Sequence, residues 1–398
     1  MDLIKAEHKK LWSKKSVQVS VLLCFAYIII FASILQYQWF NFGSPKDETS
    51  IWGKHFDGYD NIRNHQKYAE QFGNLLTDSS FSDMVSNYQN LSESENDLSD
   101  WKVVNTWLQT MYPDLERSDT YKIMMQYVDT NQLTGLYDKR QKAIDDFLES
   151  FGTSEKETEY LMAMNNKVNT PFSYVWTEGW MTILGNLQDY GIMIAIVLVI
   201  CLAPLFSGEW HNRTGAMILS MKNGWKKDAI AKIIVGFSFS TELFFIIAIP
   251  SVIVQLIYFG TSGFDMPIQC IKMIAVAPMN MLEAEIYEYA HAFMGIMGFA
   301  GLVMLISAFS KSEIASIIAG FALLFIPNIL SEYLPYQFQL FSDLFPLVGN
   351  SAIIFRTNTL NIFGKIVWMP YLQLLIPPLF GIISIPFTVK LWSKRLRI

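Results

Sequence analysis

Residues 289–330 read YAHAFMGIMGFAGLVMLISAFSKSEIASIIAGFALLFIPNIL, and this stretch decides the class of fold. It holds two apolar blocks, 289–309 and 313–330, separated only by the serine-lysine-serine triplet at 310–312. A helix needs about 20 mostly apolar residues to cross the hydrocarbon core of a bilayer, because about 30 Å must be covered at about 1.5 Å per residue. The stretch therefore predicts two membrane-spanning helices joined by a tight turn.

The rest of the chain contains four more blocks of this kind. They lie at 17–37, 190–206, 233–259 and 371–389. The composition agrees, because 52% of the 398 residues are hydrophobic and only 17% are charged, against about 25% charged in an average soluble domain. The sequence predicts an all-α polytopic membrane protein with six transmembrane helices. A cleaved signal peptide is the weaker interpretation of the first block, since the aromatic residues Tyr37, Trp39 and Phe40 follow it where a small-residue cleavage site would stand.

The lysines and arginines predict which loops face the cytoplasm, because short loops rich in these residues stay inside. Five of them precede the first block, four follow the last, five fall within 207–232, and Lys311 occupies the tight turn. Six spans place all of these on one side. We therefore expect a multi-pass protein of the plasma membrane with both termini in the cytoplasm. This basic face suits anionic lipids of the inner leaflet or an acidic groove of a partner protein, and the sequence has no nucleic-acid motif.

The segment 41–186 carries 12 basic and 23 acidic residues, a net charge of −11. With 146 residues it is long enough for one extracellular domain with its own core. Its pattern favours helices, because Ser154 and Glu157 have the spacing of a capping box and apolar residues recur on one face of 136–151. The acidic stretch 91–100 lacks the spacing and the turn glycine of an EF-hand calcium loop, so it is predicted as a solvated loop. We predict a mostly helical acidic domain inserted between the first two spans.

Aromatic residues are frequent in this segment. We interpret Trp52, Trp101 and Trp107 as core or interfacial residues, and Trp176 and Trp180 as an anchor at the membrane interface. A site for a hydrophobic ligand is the alternative.

Motifs for catalysis or nucleotide binding are missing from the sequence. No glycine-rich loop ends in Gly-Lys-Ser or Gly-Lys-Thr, the five histidines form no metal-binding cluster, and no Gly-x-Ser-x-Gly elbow occurs. We therefore expect a transport subunit rather than an enzyme, with no catalytic residue, metal or cofactor of its own. The energy for any uphill transport must come from a partner chain or an ion gradient.

Glu242 is the one charged residue clearly embedded in an apolar block, about 13 Å along a helix from the start of the third block. One interpretation is a polar contact that lines a pathway or a seam between subunits. The other is a residue in the cytoplasmic third of a tilted helix that snorkels or pairs with a nearby lysine. Both interpretations stay open.

The loop at 207–232 has the most specific pattern in the chain, SGEWHNRTGAMILSMKNGWKKDAIAK. Met217, Ile218 and Leu219 predict a short amphipathic helix, and Asn223-Gly224 predicts a turn ahead of a pair of lysines. A short helix held between two spans is a lever, because a force on it moves both spans.

This loop resembles the coupling loop of permease subunits of ABC-2-type transporters, of the Gram-positive type with a large extracellular domain between the first and second spans. The elements that carry the resemblance are Glu209, Thr214-Gly215, Ile218-Leu219-Ser220, Lys222-Asn223-Gly224, Lys226-Lys227 and Lys232. Two positions depart from the family pattern. Trp225 stands where arginine is usual, and Thr214 precedes glycine where the order glycine-threonine is more common.

The resemblance implies a permease that pairs with a second permease chain, as a homodimer or a heterodimer. It also implies a separate ABC ATP-binding subunit, in which ATP and Mg²⁺ act. The residues expected at the ATPase-coupling interface are Glu209, Arg213, Gly215, Leu219, Lys222, Gly224, Lys226 and Lys227. Ordinary interfacial charge is the alternative explanation for the charged members of this set.

Two more segments resemble parts of the family. The basic amphipathic run 1–16 is similar to the elbow helix ahead of the first span, 17–40, with a generic positive-inside anchor as the alternative. Within 187–398, the segment 331–370 resembles the re-entrant extracellular helices before the last span. The implied function is export of an amphipathic peptide, lipid or drug. A membrane sensor or immunity receptor is the alternative, and an ion-coupled carrier is disfavoured because no inverted repeat is visible and Glu242 is the only clearly embedded charge.

Overall fold

The computed structural model describes residues 2–40, 59–90, 102–111, 128–211, 224–333, 344–346 and 352–395, and these are mostly helical. At the N-terminus, α1 (Asp2–Ser13) is followed by α2 (Lys15–Phe40). The two helices are bent by 66° at the break between them. Leu11 of the amphipathic α1 is buried against the helices of the bundle.

The segment 41–186, which we call the outer domain after the side of the membrane predicted for it, contains five described helices and a short antiparallel pair of strands. In chain order these are α3 (Tyr59–Glu70), β1 (Leu75–Leu76), α4 (Asp78–Asn90), α5 (Lys102–Met111), α6 (Leu136–Ser150), α7 (Glu155–Asn165) and β2 (Phe172–Ser173). The capping box predicted for Ser154 and Glu157 is confirmed at the start of α7. The acidic stretch 91–100 lies outside the described residues.

The remaining helices coincide with the apolar blocks of the sequence. They are α8 (Glu178–Leu202), α9 (Pro204–His211), α10 (Gly224–Phe259), α11 (Met281–Phe309), α12 (Glu313–Tyr333), α13 (Met369–Leu375) and α14 (Pro377–Arg395), with β3 (Thr359–Ile362) and β4 (Lys365–Trp368) ahead of α13. Four stretches are long and apolar enough to cross a membrane, by length and composition. These are Glu178–Trp210, Trp225–Phe259, Met281–Phe309 and Met369–Ser393. The bent pair α1–α2 would be a fifth, and α12 contributes a shorter apolar helix, so the described residues indicate a helical membrane protein.

Helix starts lie further out than the apolar blocks predict. The helix α11 begins at Met281, whereas its apolar block begins at residue 289. A capping box sets this start: Asn280 Oδ1 accepts from the Glu283 N–H at 2.9 Å, and the Glu283 carboxylate accepts from the Asn280 N–H at 3.0 Å. The helix α8 likewise begins at Glu178. Glu283, Glu285 and Glu288, which precede the apolar block at 289, therefore lie on α11.

The helices α11 and α14 cross closely at glycines. A Cβ atom on Gly298 would lie 2.2 Å from the Pro377 carbonyl oxygen, and one on Gly301 would lie 2.4 Å from the Gly381 Cα. Small residues permit such close packing between helices in membranes. The helix α11 also packs against α8 and α10, which places it at the centre of the bundle.

The outer domain shares its core with two later segments of the chain. Buried residues of α4, α5 and α6 pack with Ile268 from the loop between α10 and α11, and with Ile354 and Trp368 from the segment ahead of α13. Trp107 Nε1 on α5 donates to the Gln269 carbonyl at 3.0 Å. The outer domain is thus completed by residues that lie far from 41–186 in sequence.

Arg140 on α6 fixes the loop between α10 and α11. It is 4% exposed, and its Nε and Nη2 atoms donate to the carbonyls of Met273 and Ala275, both at 2.9 Å. Its guanidinium also lies 5.5 Å from the centroid of the Phe172 ring. Burial lowers the pKa of Arg140 to about 10, so the group is charged at neutral pH.

Three of the five tryptophans singled out in the sequence are buried. Trp107 lies in the outer core, as predicted. Trp176 Nε1 donates to the Phe259 carbonyl at 3.0 Å and Trp180 Nε1 to the Thr261 carbonyl at 3.2 Å, so both are bound to the end of α10. Trp52 and Trp101 lie outside the described residues.

The described part of 331–370 ahead of α13 contains a β-hairpin, where the family resemblance implies re-entrant helices. The strands β3 and β4 pair antiparallel, and Phe363 and Gly364 between them have φ of 50° and 86°. Two consecutive residues at positive φ form the turn that suits the twist of a tight hairpin. Thr359 Oγ1 donates to Glu157 Oε1 at 2.8 Å, which joins the hairpin to α7.

Candidate functional site

A buried lysine organises the base of the 207–232 loop. Lys232 on α10 has a side chain only 1% exposed. Its Nζ lies 2.7 Å from Glu7 Oε2, 3.1 Å from Glu209 Oε1 and 3.3 Å from Asp228 Oδ1. An ammonium group has three donors, so three carboxylates saturate it. We call Lys232, these three carboxylates and Lys10 the Lys232 junction.

The Lys232 junction joins three helices, and Trp392 links it to a fourth. Glu7 comes from α1 and Glu209 from α9, while Asp228 and Lys232 lie one turn apart on α10. Glu209 Oε1 also accepts a hydrogen bond from Lys10 Nζ at 2.5 Å, which adds a second link to α1. Trp392 Nε1 on α14 donates to Asp228 Oδ2 at 3.1 Å. The N-terminal helix, both ends of the loop and the C-terminal helix therefore meet at one point.

The electrostatics of the junction make it hard to open. Three carboxylates and two ammonium groups are brought together, and the carboxylates of Glu209 and Asp228 are each 9% exposed. Removal of charged groups from water is expensive, and the mutual attraction and hydrogen bonds must offset that penalty. Removal of one partner would leave the others buried without compensation. The junction therefore behaves as a unit that holds the helix ends in a fixed relation.

The predicted coupling residues divide into three groups. Glu209 is buried in the junction, with its carboxylate turned inward. Gly224 is the first residue of α10, and Lys226 and Lys227 on the following turn are exposed. Arg213, Gly215, Leu219 and Lys222 lie outside the described residues. A contact of any of these residues with an ATP-binding subunit stays a prediction.

A cavity of about 270 Å³ lies beside the junction, between α1 and α9. Its polar lining comes from Glu7, Lys10, Lys14 and Glu209. Gly208 forms part of the wall, and a Cβ atom there would lie 2.7 Å from Glu313 Oε1, so the first residue of α12 also borders this region. Parts of α1, α9 and α12 are thus close together beside the junction.

Glu242 makes the second polar contact between α1 and α10. Its Oε1 lies 2.8 Å from His8 Nε2, and its Oε2 accepts a hydrogen bond from Trp12 Nε1 at 2.9 Å. The Trp12 ring packs edge-on against Phe239, with centroids 5.1 Å apart. The sequence interpretation of a polar contact or a lysine pair did not anticipate these partners. His8 and Trp12 are four residues apart on the amphipathic α1, so they share one face of this helix. That spacing is the sequence signal that could have indicated them as partners of a buried polar group.

Three charged residues that the sequence interpretation did not single out as embedded are buried inside the protein. Lys232 on α10 and Glu288 on α11 are fully buried, and Glu285 is 4% exposed. The cause is the placement of helix ends, because α10 and α11 both begin outside their apolar blocks. Within the described ranges, no group of three His, Cys, Asp or Glu residues is arranged to hold a metal ion.

No protein-family model matches the chain, and neither a curated protein nor a solved structure shows significant similarity to it. Its function must therefore be argued from its own residues.

Proposed function

We propose that the chain is the membrane-spanning permease subunit of an ATP-driven ABC exporter for an amphipathic peptide, lipid or drug. In this proposal the chain has six spans, so both termini lie in the cytoplasm. The spans are α2, α8 with α9, α10, α11, α12, and α13 with α14. A separate ATP-binding subunit, which holds ATP and Mg²⁺, engages the loop 207–232, and a second permease chain completes the pathway. The observation that carries the proposal is the Lys232 junction at the base of this loop.

The junction supports a coupling role through its mechanics. A force on the loop is useful only if both loop ends are attached firmly to the helices that must move. Glu209 at one end and Lys232 at the other are bonded to each other at 3.1 Å and to α1 through Lys10 and Glu7. Because Lys232 and Glu209 are shielded from water, the attachment at these two residues resists separation. A push on the loop would therefore move α1, α9 and α10 together.

The exposed lysines at the start of α10 supply a surface for the ATP-binding subunit. Lys226 and Lys227 lie next to Gly224, where the described part of α10 begins, and both are exposed. An acidic groove on the partner would attract this pair, and rim charges of this kind mainly set the association rate and the specificity. We therefore assign contact to Lys226 and Lys227, and attachment to Glu209.

The test first looks for a neighbouring gene that encodes an ATP-binding chain, and then co-expresses that chain with the full-length protein for co-purification. Double charge reversal, Lys226→Glu with Lys227→Glu, should abolish co-purification and stimulated ATP hydrolysis. The matched control reverses Lys5 and Lys9, two exposed lysines of α1, and should leave both measurements close to wild type. If the loop variant binds and stimulates hydrolysis like the control, the coupling assignment is wrong.

A membrane sensor or immunity receptor is the second candidate, and one observation favours it. The contacts of Arg140 and Trp107 join the outer domain directly to the loop between α10 and α11, so a ligand bound outside could act on the helices. ATP-driven transport into inverted vesicles separates the two functions. An exporter requires a hydrolysis-competent partner, whereas a receptor responds to its ligand equally well when the partner cannot hydrolyse ATP.

A further inference from the structure

The outer half of α11 carries a buried stripe of ionisable residues. Glu285, Glu288 and His291 follow each other at intervals of three residues, which places neighbours on adjacent turns of one helical face. They are 4%, 0% and 4% exposed. Ionisable residues buried at membrane depth are rare and mark functional sites by default. The exporter proposal makes no use of these three residues.

The hydrogen bonds of the stripe are incomplete. Glu288 Oε1 accepts from the Ile354 N–H at 3.1 Å. Its Oε2, both carboxylate oxygens of Glu285 and Nδ1 of His291 have no hydrogen-bond partner among the described residues. The Leu184 amide on α8 approaches Glu285 without closing a hydrogen bond. A buried polar atom in this condition points to a bound species that completes it.

The charges around the stripe are unevenly distributed. Arg356 acts electrostatically on both Glu288 and His291, and it also repels Lys272. The charged group that acts on Glu285 is Glu288, which has the same sign. Other groups that face the stripe from the packed elements are Tyr287 and Tyr289 on α11, Tyr190 and Asn186 on α8, Ser251 and Gln255 on α10, Asp189 acting on Tyr190, and Gln373 and Tyr371 on α13.

These observations separate the roles of the two carboxylates. Glu288 has an amide donor and a positive group, and both favour its ionised form against the penalty of burial. Glu285 has only the Leu184 amide near it and no positive partner, so an ionised carboxylate there is strongly unfavourable. A proton removes that charge without requiring any additional space. Two adjacent buried carboxylates hold one proton between them for the same reason, because like charges at short range cannot both persist.

We propose that Glu285 and Glu288 form a buried proton-binding site in the outer half of α11, with the proton on Glu285 and the negative charge on Glu288. The ligand is a proton exchanged with the outer aqueous phase. The site touches the outer domain, because Ile354, which donates to Glu288, belongs to the core that this domain shares. Uptake or loss of the proton therefore changes the charge next to Ile354, in the segment that packs between the outer domain and α11. This inference does not depend on the exporter proposal.

The experiment is infrared spectroscopy on the full-length protein in lipid nanodiscs, where protonated and ionised carboxyl groups absorb in separate bands. At neutral pH we expect a band from a protonated buried carboxyl that is lost in Glu285→Gln. The band should persist in Glu283→Gln, the control variant, because Glu283 is an exposed carboxylate on the same helix. Glutamine at this position can still accept the hydrogen bond from the Asn280 N–H that caps α11. Absence of any band sensitive to Glu285→Gln at neutral pH overturns the proposal.

Two further measurements keep the result decisive. Glutamine is the neutral isostere of protonated glutamate, so Glu285→Gln should unfold at the temperature of wild type or above it, whereas a lower unfolding temperature means that Glu285 is ionised and bound. The spectra should also be identical in sodium and in choline buffers. A carboxyl band that grows when sodium is replaced by choline assigns the site to a metal cation and overturns the proton assignment.

Discussion

Removal of the Lys232 ammonium is the sharpest test of the Lys232 junction. In Lys232→Met the side chain keeps a similar length and an apolar body, but Glu7, Glu209 and Asp228 lose the donor that lies 2.7–3.3 Å from each. Within the junction, Lys10 is then the one remaining ammonium group, bonded to Glu209, with Lys14 across the neighbouring cavity.

The expected loss follows from this geometry. Breaking a buried ion pair by removal of one partner destabilises by about 3–5 kcal/mol, because the other charge stays buried without compensation. Three carboxylates around one ammonium place Lys232→Met toward the upper end of that range. The matched control is Lys226→Met, at an exposed position on the same helix, which should change stability by about 0.5 kcal/mol or less.

The assay is titration of the full-length protein with SDS in mixed micelles, with helicity as the readout of unfolding. A double variant, Lys232→Met with Glu209→Gln, should recover part of the loss, because it removes one of the uncompensated charges. A loss below about 1 kcal/mol for Lys232→Met, indistinguishable from the control, refutes the reasoning. It would mean that the carboxylates are not held as charged groups around this lysine.

Two predictions concern the outer domain. Arg140→Met should increase amide hydrogen exchange in the loop between α10 and α11. Two buried carbonyls lose their hydrogen-bond donor, and each loss destabilises the loop by about 1–3 kcal/mol. The control is Lys142→Met at an exposed position, and equal exchange in both variants would contradict the assignment. For Glu157, partial burial acts to raise the pKa of the carboxyl, but hydrogen bonds from Ser154 and Thr359 prevail and hold it below the ordinary value of 4.5. A depressed pKa in the folded state gives a stabilisation that is complete above the ordinary value and is lost as the pH falls through the folded value. The protection of the β3 and β4 amides, taken as the ratio of the intrinsic to the observed exchange rate at each pH, should therefore fall as the pH falls below 4.5, and Glu157→Gln should remove that pH dependence.

The helices of the bundle could be predicted from the sequence, but their ends could not. Hydropathy is a local property, so each apolar block carries a helix in the structure. The start of α11 instead depends on Asn280 and Glu283, which cap it eight residues before the block at 289. That difference hid Glu285 and Glu288, which the apolar pattern places outside the span.

The partners of the site could not be predicted, because they are distant in sequence. Lys232 is recognisable from the loop pattern, but its shortest contact is with Glu7, 225 residues away. The same holds for Arg140, whose two carbonyl partners are more than 130 residues downstream. Composition and periodicity show which residues are amphipathic or charged. They do not show which charges meet, since that depends on how the helices pack.

The helix α10 connects the two regions that the sequence pattern left separate. Near its start it carries the Lys232 junction, and at its end the Phe259 carbonyl is bound by Trp176. Its 36 residues correspond to about 54 Å of helix. A continuous helix transmits a displacement along its axis, and Pro250 is the point where a backbone hydrogen bond is missing and bending is easiest. Under the exporter proposal, we therefore expect a push on the loop 207–232 to reach the outer domain along α10, with the bend at Pro250 setting how far its outer third turns.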